Sequence, residues 1–195
     1  MSAGAVTSLT AMALYQRIVG DSWRELDAPV RLLHSTGALM RGAGSFNVRR
    51  GNRRAARLLA SLFRLPETGE NVSTRVVVTP CRDGERWHRT FAGKPFVTEQ
   101  RAHAGPFLAE RIGMIEILFR LEVKNGALFY QQTMAVLNLG RWRMPLPGWL
   151  APRVVASEQV AAGATRVQVS VSVDAPVVGL LVAYSGTIER EDEGA

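Results

Sequence analysis

The chain has a single cysteine, Cys81, and no apolar run long enough to cross a bilayer. One thiol excludes an internal disulfide, so nothing in the sequence points to an oxidising compartment. The most apolar run, Ala175 to Tyr184, is half the length of the roughly 20-residue segment that a spanning helix needs. No positive charge precedes Arg17, which argues against a secretory signal. We therefore expect a cytoplasmic protein without a transmembrane segment.

Signatures of metal, nucleotide and nucleic-acid binding are also missing. The three histidines, His34, His88 and His103, are too few and too scattered for a metal site. Gly42-Ala43-Gly44 does not follow a predicted strand, which excludes a dinucleotide-binding fingerprint. The arginine-rich region has neither interleaved aromatic residues nor a helix-turn-helix pattern. We expect no metal, no cofactor and no nucleic-acid partner.

Acidic residues are absent between Ala28 and Pro66, in a chain whose net charge is +7. The same region holds a series of arginines: Arg31, Arg41, Arg49, Arg50, Arg53, Arg54, Arg57 and Arg64. A solvated helix face is the simplest interpretation of such a charge run. Contact with an anion, a membrane surface or a partner protein is the alternative.

The length of 195 residues, with 47% hydrophobic and 21% charged residues, is typical of one globular domain. We expect it to span residues 1–195, with frayed ends at 1–7 and 190–195. Residues 8–66 are expected to be helical, apart from a glycine-rich irregular segment, and residues 72–189 to form an antiparallel sheet.

The spacing of apolar residues predicts three helices: residues 8–20, residues 27–35 and a third between Asn52 and Pro66. Gly37 to Gly51 is expected to be irregular. In the third helix the apolar stripe is expected to face inward, and it consists of Ala55, Leu58, Leu59, Leu62 and Phe63.

From Val72 to Glu189 the apolar period changes to two, and turns fall at strand-length intervals. The clearest turn is Asn125-Gly126, the preferred pair for a two-residue type I′ hairpin. The predicted fold is α+β: N-terminal helices followed by a strongly curved antiparallel sheet or partly closed β-barrel of about eight strands.

Glu158 occupies an unusual place in this pattern. If the turn Ala161–Ala164 has four residues, Val160 pairs with Thr165, and Glu158 lies opposite Val167 on the inner, valine-rich face. A buried carboxylate without a partner is costly, so it needs a cation, hydrogen-bond donors or a raised pKa.

Two interpretations of Glu158 remain open. It is either a structural acid paired with an arginine such as Arg89 or Arg120, or a functional group. In the second case it acts as a general acid or base, or as an anchor for a polar group of a ligand.

Several segments form a recognisable combination: Tyr15–Gly20, Val30–His34, Gly44–Gly51, Leu58–Gly69, Glu85–Phe91, Gly105–Gly113, Pro145–Arg153 running on to Glu158, and Pro176–Tyr184. Together they resemble the DUF4166 family, a bacterial domain of unknown function found alone or fused to saccharopine-dehydrogenase-like reductases. The resemblance spans residues 14–188 and implies no particular activity. The fused reductase implies that some members work near an enzyme acting on a small or lipid-like substrate.

Polar residues within the matching motifs are the site candidates. Glu158, Tyr184 and Arg89 are the candidate catalytic residues, and His34 and Glu110 are candidate ligand-binding residues. His34 also lies on the inner side of its helix, where a hydrogen-bonded core histidine is the simpler interpretation. Further candidates for contact with a ligand are Val167, Val169, Trp149 and Tyr130.

Three functions are compatible with these features. The first is binding of a small apolar or amphipathic, lipid-like molecule inside the curved sheet. The second is a cofactor-independent isomerase, cyclase or lyase with Glu158 as general acid or base, and Tyr184 or Arg89 stabilising a developing charge. The third is a non-catalytic partner of a separate reductase, docking through the arginine-rich helices.

The first two functions require a cavity. Valine and alanine dominate the inner face of the 153–174 hairpin, and small residues on a concave face leave space. We expect an enclosed pocket of about 300–1,000 Å³, the usual range for ligand sites, containing the Glu158 carboxyl.

Overall fold

The computed structural model describes residues 12–35, 39–161 and 165–191. The first residues of the predicted helix 8–20, the predicted frayed residues 1–7 and 192–195, and most of the turn 161–164 lie outside the described residues. The described helices are α1 (Leu14–Val19), a 3₁₀ helix (Gly20–Glu25), α2 (Ala28–His34) and α3 (Arg54–Leu62). None of them is long and apolar enough to cross a membrane.

The described residues form eleven strands. They are β1 (Met40–Arg50), β2 (Gly69–Cys81), β3 (Gly84–Phe91), β4 (Lys94–His103), β5 (Phe107–Ile112), β6 (Ile115–Lys124), β7 (Ala127–Leu139), β8 (Trp142–Pro145), β9 (Arg153–Val160), β10 (Val167–Ala175) and β11 (Gly179–Arg190). Strands β1 to β7 pair in chain order, β9, β10 and β11 follow, and β11 returns to β1. Strand β8 pairs with β7 outside this ring.

The fold is therefore mostly β, a closed antiparallel barrel of ten strands with one strand outside. The predicted α+β fold had about eight strands, which is too few because β1, β5 and β8 were not predicted. Strand β1 was predicted to be irregular on account of its glycines. A Cβ atom at Gly44 would lie 1.9 Å from the carbonyl oxygen of Thr187, so the close approach of β11 requires glycine within a strand.

The Asn125-Gly126 turn was predicted correctly. Both residues have positive φ, and Lys124 pairs with Ala127. The register changes after Phe119, which pairs with Gln132, because a bulge places Met134 opposite Leu118. Beyond the bulge Met134 lies on the outer face, where it is exposed.

The pairing register of the β9–β10 hairpin is shifted by two residues from the predicted register. Val160 pairs with Val167, so Glu158 lies opposite Val169 instead of Val167. A shift of two positions preserves the face of every side chain, since alternate strand residues point the same way. Glu158 is accordingly buried, as its position on the valine face predicted.

The orientation predicted for the third helix was wrong at Ala55, Leu58 and Leu62, which are exposed, whereas Leu59 and Phe63 pack against the core. α3 packs through Ala56 and Ala60, which are buried, whereas Leu58 and Leu62 are 71% and 66% exposed. A Cβ atom added at Gly51 would lie 3.1 Å from the Ala56 Cβ and 1.8 Å from a β11 carbonyl oxygen. The helix lies so close to the barrel backbone that only small side chains fit between them.

The helices cover the two ends of the barrel. α1, the 3₁₀ helix and α2 lie at one end, where Tyr15 and His34 reach the interior. At the other end, the segment Phe63–Pro66 that follows α3 enters the lumen beside the start of β9. The interior between these ends is the candidate functional site.

Candidate functional site

The lumen contains two adjoining cavities of about 80 and 90 Å³. Both are bordered by Glu110, Phe119, Val154, Val171 and Tyr184. The cavity that touches Glu158 and Val169 is the smaller, well below the predicted 300–1,000 Å³. Phe119, Tyr130, Trp87 and Tyr184 fill most of the space that the small residues of β9 and β10 leave.

The two cavities differ in chemistry. The polar cavity, at the α2 end, has many polar side chains in its wall: Thr74, Arg89, Gln100, Glu110, Tyr130, Ser157, Glu158 and Tyr184. The apolar cavity, at the α3 end, is lined mainly by aliphatic and aromatic residues, including Phe63, Leu65, Phe96, Ile112, Ile115, Ile117 and Leu181. Along β9, Glu158 borders the first cavity and Val154 borders both, so the cavities follow each other along the barrel axis.

Glu158 is held by two donors from different parts of the chain. Its Oε2 lies 2.5 Å from Nε2 of His34 on α2, and its Oε1 accepts a hydrogen bond of 2.9 Å from Tyr130 on β7. His34 is fully buried, and its Nδ1 has no hydrogen-bond partner among the described residues. Because a buried N–H needs an acceptor, the imidazole hydrogen belongs on Nε2, where it points to Glu158.

This environment favours the ionised carboxylate. Burial alone would raise the pKa of Glu158, but contact with His34, the hydrogen bond from Tyr130 and the nearby Arg89 guanidinium together hold the pKa below its usual value. The partner of Glu158 is therefore mainly His34 and Tyr130 rather than an arginine. Arg120, one of the predicted partners, is exposed.

A chain of hydroxyl and amide groups extends from Glu158. The Tyr130 hydroxyl lies 3.2 Å from the Tyr15 hydroxyl, which is 2.8 Å from Oε1 of Gln100. Tyr15 also stacks on the His34 ring, with 3.8 Å between ring centroids. Burial and the charge of Glu158 raise the pKa of Tyr15 and Tyr130 well above 10, so both phenols stay protonated.

Arg89 supplies the positive charge of the polar cavity. Its guanidinium donates to Thr98 Oγ1 at 2.8 Å, lies 3.6 Å from Glu110, and sits 4.8 Å from the centre of the Trp87 ring. Burial tends to lower the pKa of Arg89, but the charge of Glu110 raises it beyond its ordinary value. Arg89 is thus a fixed cation beside two carboxylates.

Tyr184 borders both cavities, and its hydroxyl has no hydrogen-bond partner among the described residues. Its ring packs edge-on against Phe46 and Phe91. Burial raises the pKa of the phenol to about 12, against an opposing effect of Arg89. Tyr184 is therefore a neutral hydroxyl group at the junction of the two cavities.

Among the described residues, no group of three His, Cys, Asp or Glu side chains is placed to hold a metal ion.

The sequence model of one protein family, a domain of unknown function (DUF4166), matches residues 26–188. The chain belongs to the DUF4166 family. No curated protein and no solved structure matches it. The match covers the whole barrel except the end of β11, together with α2 and α3, so Glu158, His34, Arg89 and Tyr184 lie within the DUF4166 domain and Tyr15 lies before it.

The barrel brings most of the predicted DUF4166 site residues together. Glu158, His34 and Tyr130 are in direct contact, and Arg89, Glu110 and Tyr184 border the same cavity. Val169 lines this cavity too, whereas Val167 is buried nearby without lining it. Trp149 lies apart, because it is 64% exposed in the loop before β9.

Two members of the polar network were not predicted, namely Tyr15 and Gln100. Gln100 had a detectable signal, since it alternates with Phe96 and Thr98 on one face of β4, in the same way that Glu158 interrupts an apolar face of β9. Tyr15 reaches the network only through the packing of α1 on the barrel end, which the strand pattern does not contain.

Proposed function

We propose that this DUF4166 barrel binds a small amphipathic molecule, with its apolar part in the apolar cavity and its polar group in the polar cavity. The observation that supports this most is the Tyr184 hydroxyl, which borders both cavities without a hydrogen-bond partner among the described residues. Tyr184 is only partly buried, so its hydroxyl is open to a group placed in the cavity. A ligand group between Tyr184 and Arg89 would supply the missing partner.

The charges around the polar cavity favour an uncharged polar group. Two carboxylates, Glu158 and Glu110, border it together with a single guanidinium, Arg89. A ligand carboxylate would meet more negative than positive charge in a region of low dielectric. A hydroxyl or carbonyl oxygen accepts from Arg89 or Tyr184, and a hydroxyl also donates to Glu110. We therefore propose an alcohol or a ketone as the polar group.

The size of the lumen limits the ligand. A cavity of about 150 Å³ is known to admit benzene, and each cavity here has a volume of about 80 or 90 Å³. A ligand spanning both is thus about the size of one ring with a short substituent. Phe119 borders both cavities beside the β6–β7 bulge, so a larger ligand requires this side chain to turn aside.

The second candidate is a cofactor-independent enzyme, an isomerase, cyclase or lyase. The contact between Glu158 and His34 at 2.5 Å favours it, because a carboxylate oriented by an imidazole beside a cavity suits proton transfer. The lowered pKa of Glu158 leaves it ionised at neutral pH. In such an enzyme Glu158 acts as a general base, and Tyr184 or Arg89 stabilises the developing negative charge.

Nondenaturing mass spectrometry of freshly purified protein tests the binding proposal. Wild-type protein is expected to carry a small molecule that is lost on denaturation. Val171→Phe, which fills the junction of the two cavities, is expected to carry no small molecule. The matched control is Val155→Phe, since Val155 is 70% exposed on β9. An added mass that persists in Val171→Phe would place the molecule outside the lumen and contradict the proposal.

A further inference from the structure

The outward face of α3 is unusually apolar for a solvent-facing helix. Leu58 and Leu62 are four residues apart, so they lie on the same side, and both are largely exposed. Val177, in the β10–β11 turn, is 69% exposed, and its carbonyl oxygen accepts a hydrogen bond of 3.4 Å from Arg53 at the start of the helix. The leucines and this valine therefore belong to one end of the barrel.

Arginines flank these apolar side chains. Arg53, Arg54, Arg57 and Arg64 are all exposed, and none forms an ion pair among the described residues. Glu67, the nearest acid along the chain, is already paired with Lys94. This end of the molecule thus combines exposed leucine with positive charge that no acid of the described chain neutralises.

The same surface adjoins the lumen. Phe63, Leu65 and Pro66, immediately after α3, line the apolar cavity. Pro152 lines it from the other side, and the exposed Trp149 and Leu150 lie just before Pro152. The outward apolar residues and the apolar cavity therefore share one end of the barrel.

We propose that this surface, which we define as Arg53, Arg54, Arg57, Leu58, Leu62 and Arg64, docks on the surface of an anionic lipid bilayer. A helix with leucines on one side and arginines around them lies in the interface, where the leucines enter the acyl boundary and the arginines meet phosphates. α3 is too short and too polar to cross a membrane, but interfacial binding has no such length requirement.

Anionic lipid fits this surface better than a second copy of the chain. A second copy would bring an identical positive surface against the first, because a two-fold interface places like residues opposite each other. Headgroups such as phosphatidylserine provide negative charge and accessible hydrocarbon together. The docking proposal is independent of the lumen ligand, since it rests only on exposed residues.

Sedimentation with vesicles tests the proposal. The protein is mixed with vesicles of phosphatidylcholine alone or of phosphatidylcholine and phosphatidylserine at three to one. Wild-type protein is expected to bind only the anionic vesicles at low salt. Removal of each basic side chain near such a surface weakens partitioning about fivefold, so Arg53→Gln/Arg54→Gln/Arg57→Gln is expected to lose about a hundredfold. Leu58→Ser/Leu62→Ser is expected to lose at least tenfold.

Matched variants distinguish docking through this surface from non-specific effects of net charge or exposed apolar area. Arg41→Gln/Arg75→Gln/Arg120→Gln removes the same charge from exposed strand positions, and Val155→Ser removes an exposed apolar residue from β9. Both are expected to retain most of the binding. Absence of wild-type binding, or equal loss in these controls, would overturn the proposal. So would a vesicle-free dimer that Leu58→Ser/Leu62→Ser dissociates, because this surface would then bind a second copy.

Discussion

Glu158 and His34 are 124 positions apart in the chain, yet the Glu158 carboxylate lies 2.5 Å from His34 Nε2 inside the barrel. Glu158 comes from β9 and His34 from α2, so this contact joins the helical end of the barrel to its wall. Tyr130 completes the pairing from β7. The contact therefore belongs both to the packing of α2 on β9 and to the wall of the proposed binding site, and substitutions at Glu158 test the two roles separately.

Glu158→Ala is expected to destabilise the protein by about 3–5 kcal/mol, because it leaves the buried donors of His34 and Tyr130 without their acceptor. Glu158→Gln keeps the shape and one acceptor oxygen, so its cost is expected to be about 1–2 kcal/mol. Denaturant unfolding measures both values. Equal costs for the two variants would contradict this account, because the shape and the acceptor oxygen that Gln keeps would then contribute nothing.

The lowered pKa of Glu158 predicts a loss of stability in acid. The folded state holds the carboxylate ionised below the pKa of about 4.3 that the unfolded chain has. Its stabilising contribution is thus complete above that pH and disappears as the pH falls through the lower folded value. Unfolding free energies measured from pH 6 downward are expected to fall less steeply for Glu158→Gln than for wild type. Parallel curves would contradict the assignment.

The three tyrosines of the chain, Tyr15, Tyr130 and Tyr184, all border the polar network and all have raised pKa values. The native protein is therefore expected to show no phenolate absorbance near pH 10, where an ordinary tyrosine is half ionised. Stability is expected to fall as the pH rises above 10, since only the unfolded chain ionises there. A tyrosine that titrates near pH 10 in folded protein would contradict the buried network.

The exposed arginines of α3 are expected to matter little for folding. Arg53, Arg54 and Arg57 form no ion pair among the described residues, and exposed substitutions typically change stability by no more than about 0.5 kcal/mol each. The melting temperature of Arg53→Gln/Arg54→Gln/Arg57→Gln is therefore expected to stay close to that of wild type. A large drop would mean that these side chains support the fold, and the vesicle experiment would then need single substitutions.

The alternation of strand residues carried most of what the sequence predicted about the site. It placed Glu158 inside the barrel although its cross-strand neighbour on β10 was predicted two positions away. A shift of two positions leaves each side chain on the same face of the strand. His34 was recognised as an inner residue of its helix. The contact between Glu158 and His34 was not predictable. Periodicity assigns each residue to a face of its own element, but it does not show which distant elements pack together.

Errors in the predicted fold arose where backbones approach each other closely. Strand β1 contains Gly44 because Thr187 leaves no room for a Cβ atom, yet a glycine-rich segment normally indicates irregular structure. α3 packs through Ala56 and Ala60 for the same reason, so Leu58 and Leu62 are exposed. The sequence pattern assumes that large apolar residues face inward, and it fails where space is limiting.

The most direct test of the lumen as a binding site is an NMR titration with cyclohexanol, using hexanoate as a charged comparison. Cyclohexanol is expected to shift the Tyr184 and Phe119 ring signals saturably, whereas hexanoate leaves them unchanged. Tyr184→Phe is expected to bind cyclohexanol about fivefold more weakly, the effect of one hydrogen bond, without losing stability. Lumen signals that do not respond to cyclohexanol up to its solubility limit would contradict the account.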